Sequence, residues 1–327
     1  MSSPLVTLLR EHFDDPQLHK QATLQRLWSD YGEIARYYSP RLAKTMIVKH
    51  VAPPAKVNHP RGWHSDIGHQ RKVQSYQKEA AFYKSFAALC DEPCYVPQFI
   101  ALIKNREHGE QQTLVMEDLG SIGFTQVYQS VSELQIKAVL NWLAHFHARF
   151  LTIDTSALWP IGSYWHLATR QAEYNIMPTG GLKKNAKIIA DRLEGAHFRT
   201  LIHGDAKLAN FCFSTNDDVA AVDFQYVGRG VGVKDVMYFL GSCLSDKLLW
   251  DKHDEYVDYY FEVLKNALIL SSLGSGVEQQ IIELEQEWRA LIPFAWADFN
   301  RFLQGWSAEH VKINNFMHAQ TALILTT

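Results

Sequence analysis

Two short stretches of the chain, LIHGDAKLANFCF (201–213) and AAVDFQ (220–225), each run an apolar segment into polar residues at a chain reversal. The first reversal carries His203, Asp205, Lys207 and Asn210, and the second stretch brings Asp223 to its end. Two carboxylates and a carboxamide are hard oxygen donors, the kind of set that holds Mg²⁺ together with bound phosphates. One carboxylate for the metal and one for a substrate hydroxyl is the division of labour that phosphoryl transfer requires, and a lysine two residues after the first carboxylate suits a moving phosphoryl group. Taken one at a time, Asp and Asn at such places make turns, Lys207 is a solvated lysine and His203 orients its loop. Taken as a spaced set they point to chemistry.

Holding such a set needs a scaffold, and hydropathy patterning supplies one in two parts. Residues 22–51 alternate and cluster β-branched and aromatic types, which predicts three short antiparallel strands. A Pro- and His-rich loop over 52–69 precedes a predicted helix over 70–89, and strands are predicted over 96–104 and 112–116. Beyond Asp118 the pattern turns helical over 131–150, 250–270, 276–306 and 308–325, interrupted by apolar strands over 200–202 and 219–224. The expectation is an α+β chain with a small antiparallel-sheet lobe over 1–118 and a larger helical lobe over 119–327. No internal repeat or low-complexity tract is present, and such an architecture alone permits many functions.

The order H-G-D-x-K-x-x-N followed by D-F-Q resembles the catalytic loop and metal-binding aspartate of the protein-kinase-like small-molecule phosphotransferases. That group contains the aminoglycoside phosphotransferases, choline kinases and ecdysteroid-kinase-like proteins. D-F-Q and the S-Y-x-x-E-x-x-F-Y pattern over 75–83 bring the chain nearest the ecdysteroid-kinase-like branch. The resemblance spans roughly 22–244 and implies a protein-kinase-like two-lobed fold using ATP and Mg²⁺. It further implies that the γ-phosphate moves to the hydroxyl of a small-molecule acceptor, an amino alcohol, an aminoglycoside or a sterol-like alcohol. In that scheme Asp205 accepts or orients the hydroxyl proton, Lys207 neutralises the moving phosphoryl group, and Asn210 and Asp223 hold Mg²⁺. Lys49, at the end of the apolar run MIV, takes the place of the phosphate-binding lysine. Glu79 lies between Tyr76 and Tyr83 on its helix, an expensive place for a carboxylate without a cationic partner. Lys49 is the expected partner, the alternative being a surface pair of little worth. Backbone groups around Met116, Glu117 and Asp118 are expected to meet the adenine. His147 matches a recurring L-A-x-x-H, and Asp235 either braces the loop from below or caps its own helix.

Two features depart from the pattern. The turn that would cover the phosphates has Gly32 alone, in SDYGEIARY, although backbone N–H groups over 29–32 can cap a phosphate without more glycines. His203-Gly204 replaces the His-Arg of protein kinases, which removes the arginine that reads activation-loop phosphorylation. A protein kinase is weakened as a rival by that loop and by the short stretch between Gln225 and Asp235. A non-catalytic nucleotide-binding module is weakened by the complete acid, amide and lysine set.

Composition excludes more than it selects. Lys and Arg total 32 against 35 Asp and Glu, a formal charge of -3, so no cationic field points to nucleic acid or to an anionic membrane. The four cysteines form no C-x-x-C pair, which fits a reducing, cytoplasmic compartment. Arg10 and Glu11 interrupt the apolar N-terminal stretch, and no uncharged run approaches ~18 residues, so an unprocessed soluble chain, monomer or homodimer, is expected. GRGVGVK (228–234) lacks the last glycine of a dinucleotide-binding turn, and His145 and His147 point different ways on a helix. His59, His64 and His69 lack a nearby acidic or thiol set for a metal. Two features are candidates for the acceptor site: an acidic stripe, Asp251, Asp254, Glu255 and Asp258, and an aromatic stripe, Trp296, Phe299, Phe302 and Trp306. A solvated helix face and core packing are the plainer readings of each.

Overall fold

A computed structural model of the chain describes residues 3–27, 30–53, 66–104, 111–271 and 277–325. They fall into two compact units, 1–88 with 96–125, and 89–95 with 126–327. The first unit therefore runs past the expected boundary at 118, for a local reason. The Asp118 side chain caps a 3-10 turn, Leu119–Ile122, by accepting from Gly120 N–H, while Phe124 N–H bonds back to the Leu119 carbonyl. Residues 89–95 go with the second unit, where the Tyr95 carbonyl accepts Trp142 Nε1–H (2.9 Å) and Ala221 N–H (3.1 Å).

The first unit opens on helix α1 (Pro4–Phe13), whose first turn is set by Pro4 and by the Ser3 hydroxyl accepting from Val6 N–H. Strands β1 (His19–Arg26), β2 (Gly32–Ser39) and β3 (Lys44–Val51) form the expected meander, followed by helix α2 (Asp66–Ser85), β4 (Phe99–Lys104) and β5 (Gln112–Glu117). The sheet is antiparallel in the order β1-β2-β3-β5-β4. One core gathers Leu9 and Leu18 with Ala35, Tyr37, Met46, Val48, Ala101 and Val115. A second joins Leu27, Tyr31 and Val51 to Val73 and Tyr76 of α2. The sheet thus buries apolar residues on both faces, and β3 passes between the two cores. Ser29, His59 and His64 lie outside the described residues, whereas His69 hydrogen-bonds the Tyr31 hydroxyl.

The second unit is helical, with short strand pairs where the chemistry-bearing residues lie. Helix α3 (Glu133–Arg149) begins in a capping box, Ser132 and Gln135 each bonding the other's backbone N–H. Three short helices follow, α4 (Gln171–Ile176), α5 (Gly181–Lys184) and α6 (Ala186–Glu194), none of which the hydropathy pattern reveals. Strands β6 (Thr200–Ile202), β7 (Phe211–Phe213), β8 (Val219–Ala221) and β9 (Gly228–Gly230) pair as β6-β9 and β7-β8. The strand expected over 219–224 stops at Ala221, and Asp223 lies beyond it in the left-handed region (φ 69). Helices α7 (Val233–Cys243), α8 (Asp246–Ser271), α9 (Val277–Trp306) and α10 (Asn315–Leu325) complete the unit. The helix expected over 308–325 begins at Asn315, because residues 307–314 fold as turns. Helix α9 packs against α4, α6, α7 and α10, and is tied to α7 by the buried Lys234–Asp298 pair (3.1 Å).

Candidate active site

The loop between β6 and β7 is held from three directions. From below, the fully buried Asp235 carboxylate accepts His203 N–H (2.6 Å) and Gly204 N–H (3.0 Å). Asp235 also accepts from His147 Nε2 (3.3 Å), whose Nδ1 receives the Tyr260 hydroxyl (2.7 Å). Bracing is therefore what Asp235 does; the cap position of α7 is Gly232. From the side, the His203 ring donates Nε2–H to the Val222 carbonyl (2.9 Å) and accepts Asp205 N–H at Nδ1 (3.3 Å), which fixes its tautomer. From beyond, Val222 N–H bonds the Asn210 carbonyl (2.9 Å), tying the residue before Asp223 to the loop. Gly204 sits at φ +77 where a Cβ would collide with the Tyr226 carbonyl, so only glycine fits this turn.

That frame brings Asp205, Lys207, Asn210 and Asp223 together. Lys207 Nζ lies 3.1 Å from Asp205 Oδ2, while Oδ1 is buried without a well-formed hydrogen bond. Asn210 donates Nδ2–H to the Asp205 carbonyl (2.8 Å), which commits the amide nitrogen and leaves the amide oxygen as its ligating atom. Asp223 Oδ1 accepts from Gln225 Nε2 (2.6 Å). Burial pushes the Asp205 carboxyl up; Lys207 draws it back down, Asp223 pushes it up again, and the outcome is upward. Burial alone would lower Lys207, but Asp205 and Asp223 outweigh it and hold it protonated. A carboxylate with a raised pKa and an oxygen lacking a hydrogen bond is suited to taking a proton.

The donor chemistry fits a hard divalent cation: two carboxylates, of which Asp205 has a buried oxygen without a hydrogen bond, and one carboxamide oxygen. Among the described residues no cluster of three or more His, Cys, Asp or Glu could hold a metal by itself.

The other candidates divide cleanly. In the first unit Lys49 on β3 and Glu79 on α2 form the expected pair, at 2.8 and 2.7 Å to the two carboxylate oxygens, both almost fully buried. The Tyr76 ring lies 5.4 Å from Lys49 Nζ. In the Met116–Asp118 segment, Glu117 N–H bonds the Gln98 carbonyl and the Asp118 carbonyl accepts from Ser121. The Asp118 side chain is taken by Arg36 in a bidentate pair at 2.6 and 3.0 Å. Burial pushes the Asp118 carboxyl up, but Arg36 and further hydrogen bonds hold it below its ordinary value.

The acidic stripe is an exposed face of α8. Asp251 pairs with Lys247, Glu255 with Lys252, Asp258 with Arg289 and Asp254 with His253, and none lines the cavity beside Asp205. The aromatic stripe splits: Trp296 packs against Phe316 in the core, whereas Phe299 and Trp306 line that cavity. This space of about 290 Å³ opens on Asp205 and Lys207, and Tyr164, Tyr226 and Tyr238 supply much of the rest of its wall. The Tyr164 and Tyr238 hydroxyls bond each other (3.1 Å) beside Asp205, and burial pushes both phenols up. Sequence reasoning missed these tyrosines, together with His310 and Lys312 from the 307–314 turns.

Residues 181–273, which contain Asp205, Lys207, Asn210, Asp223 and Asp235, match the model of the ecdysteroid kinase-like family. Three solved structures share the fold over nearly the whole chain. A Ralstonia eutropha JMP134 protein assigned to the aminoglycoside phosphotransferases is 14% identical, with 98% of this chain and 95% of that chain covered, at a TM-score of 0.55. A microcompartment-associated aminopropanol kinase is 13% identical, covering 97% and 93%, at 0.52. The GDP and kanamycin complex of APH(2")-IIia is 12% identical, covering 98% and 96%, at 0.52. No curated protein matches the sequence. The fold is that of the protein-kinase-like phosphotransferases, and within that class the loop-bearing segment is similar to the ecdysteroid kinase-like family. Among the described residues no helix is long and apolar enough to cross a membrane.

Proposed function

We propose that the protein is an ATP- and Mg²⁺-dependent phosphotransferase that moves the γ-phosphate to a hydroxyl of a small molecule. The observation that carries this reading is the Asp205 carboxylate, with Lys207 on one oxygen and the other oxygen buried without a hydrogen bond, on a residue that lines a ligand-sized cavity. The acceptor hydroxyl enters from the cavity and gives its proton to Asp205 as its oxygen bonds the γ-phosphorus. The bond from phosphorus to the bridging oxygen breaks and ADP leaves. Lys207 offsets charge on the transferring group, and Lys49, held by Glu79, is assigned the α- and β-phosphates. Backbone around Met116, Glu117 and Asp118 is assigned the adenine. Asn210 and Asp223 would hold Mg²⁺, which when bound neutralises phosphate charge. Four free cysteines support a reducing, cytoplasmic setting. A protein substrate is disfavoured because β9 and the start of α7 occupy the stretch after Asp223, leaving no room for an activation segment.

Thermal unfolding with and without Mg·ATP tests the nucleotide site, since a ligand bound only by the folded state must raise its apparent stability. The wild type should respond, and Asp223→Ala should lose the Mg²⁺-dependent part. Asp205→Asn should keep the response while ADP release with an accepted alcohol falls to background. Wild-type turnover in Asp205→Asn would show that the base is assigned wrongly.

A further inference from the structure

The cavity beside Asp205 is unevenly charged. Its one carboxylate, Asp205, is already paired with Lys207. A second lysine, Lys312, lies on the wall with its ammonium 4.5 Å from the Tyr238 ring centre and 5.8 Å from that of Phe299. Among the described residues its ammonium has no hydrogen-bond or ion-pair partner, and its charge is offset only by aromatic faces and by the more distant Asp205, whose pull Lys207 opposes. The segment that presents it is fixed. Ser307 N–H bonds the Leu303 carbonyl, His310 N–H the Ser307 carbonyl and Ile313 N–H the His310 carbonyl, while Lys312 N–H bonds His310 Nδ1. At the far end Asn314 caps α10 and Phe316 N–H bonds Asp246.

A half-buried ammonium over aromatic rings, next to an ion pair that is already neutral, is a cation waiting for an anion. Burial pushes Lys312 down to about 8. Leaving the ammonium unpaired therefore disfavours its charge, and an arriving anion would restore it. The carboxylates that would welcome a polycation, those of the α8 stripe, are exposed elsewhere and engaged by basic neighbours. The walls formed by Tyr164, Tyr226, Tyr238, Phe299 and Trp306 suit a flat apolar body rather than a heavily hydrated one.

We propose that the acceptor is an alcohol carrying an anionic group on a flat apolar body, with Lys312 receiving the anion while the hydroxyl reaches Asp205. The substrate class rests on the phosphotransferase reading; the anion subsite at Lys312 is testable without it.

The test is isothermal titration with three matched probes: a hydroxymethyl naphthoate, its neutral methyl ester and its positively charged aminomethyl counterpart. The wild type should bind the carboxylate about tenfold or more tighter than the ester, the gain of one charge-assisted hydrogen bond, and the amine least. Lys312→Met should bring the carboxylate down to the level of the ester, and Lys312→Arg should restore the preference. Equal binding of carboxylate and ester by the wild type overturns the inference, as does a preference that survives Lys312→Met or an absence of carboxylate binding at millimolar concentration. Should Lys312→Met not fold by urea unfolding, the wild-type and Lys312→Arg series decides alone. The Mg·ATP response, run in parallel, separates the two readings. Carboxylate preference without a nucleotide response sinks the phosphotransferase and keeps the anion subsite, and the reverse pattern sinks the subsite.

Discussion

Asp235 gives the sharpest test of how the active loop is built. Its carboxylate has no solvent exposure and accepts two loop N–H groups, at 2.6 and 3.0 Å. Asp235→Asn preserves shape but leaves one oxygen in place of two, so one N–H loses its acceptor and faces the amide's own N–H₂. A hydrogen bond to a charged group contributes about 1.5–3 kcal/mol, and the stranded buried donor costs about 1–3 kcal/mol more. Together these predict a loss of about 2.5–6 kcal/mol, a large part of the roughly 5–15 kcal/mol that holds a typical domain folded. Urea unfolding followed by tryptophan fluorescence reads it directly, because the second unit holds the buried Trp142, Trp165, Trp288 and Trp296. With a slope of about 1–3 kcal/mol per molar urea, the midpoint should fall by about 1 M or more. Turnover should fall as well, since the same bonds set the turn that presents Asp205. Gly204→Ala attacks this turn from its other side, by a left-handed φ and a collision with the Tyr226 carbonyl, and should mimic the turnover loss. An Asp235→Asn protein with a wild-type urea midpoint and wild-type turnover would refute the bracing argument.

Two further outcomes follow from buried charges. Glu79→Gln removes the countercharge of the Lys49 ammonium, at 4% side-chain exposure, and should cost up to about 3–5 kcal/mol while weakening the Mg·ATP thermal response. The pair Lys49→Met with Glu79→Leu should regain stability in urea without regaining that response, and a full regain of both would remove Lys49 from the nucleotide site. For Lys312, burial sets the folded value at about 8 against an ordinary 10.5, with Asp205 pulling it up, Lys207 pushing it down and Cys243 acting weakly upward. Between these values the unfolded chain binds a proton that the folded chain has released, so this group makes stability rise with pH across that window and contributes no slope below it. Subtracting the urea midpoints of Lys312→Met from those of the wild type across the window should expose that rise; a flat difference would mean that Lys312 is not desolvated.

The grouping of the loop residues was legible because it is local. Asp205, Lys207 and Asn210 share one loop, and Asp223 follows after a single short hairpin, so spacing along the chain stands in for spacing in three dimensions. Lys49 and Glu79 were legible for a different reason. A carboxylate between two tyrosines on one helix face is intelligible only with a cation, and the end of an apolar strand supplied one. The Arg36–Asp118 pair escaped because neither residue is out of place on its own: an arginine in a strand and an aspartate after one are each ordinary at a surface. Strand β9 escaped because Gly-Arg-Gly carries no apolar pattern, and β7 because Phe211–Phe213 follows the polar loop without a break, whereas the equally short β6 and β8 each open an apolar run. The helix expected over 308–325 was overextended because apolar residues recur there at helical intervals while the Asn314 cap, hidden in an Ile-Asn-Asn run, marks the true start.

The wall of the cavity shows why its lining is harder to read from sequence than the loop. Tyr164 follows α3, Tyr238 lies on α7, Phe299 on α9 and Lys312 in the turns before α10, so no window of sequence contains the site. Periodicity reports which face a residue shares with its neighbours in sequence, not what that face meets. It therefore selected the α8 acids, which form a regular stripe and meet solvent, and passed over a single lysine that meets the cavity. The same separation means that the two properties can change independently. Substitutions in the 307–314 turns would alter the charge on the cavity wall without touching the bonds from Asp235, His203 and Asn210 that shape the loop. A fold that hosts kinases of unlike alcohols needs that independence, and a lysine on a turn pinned at both ends is a simple way to obtain it.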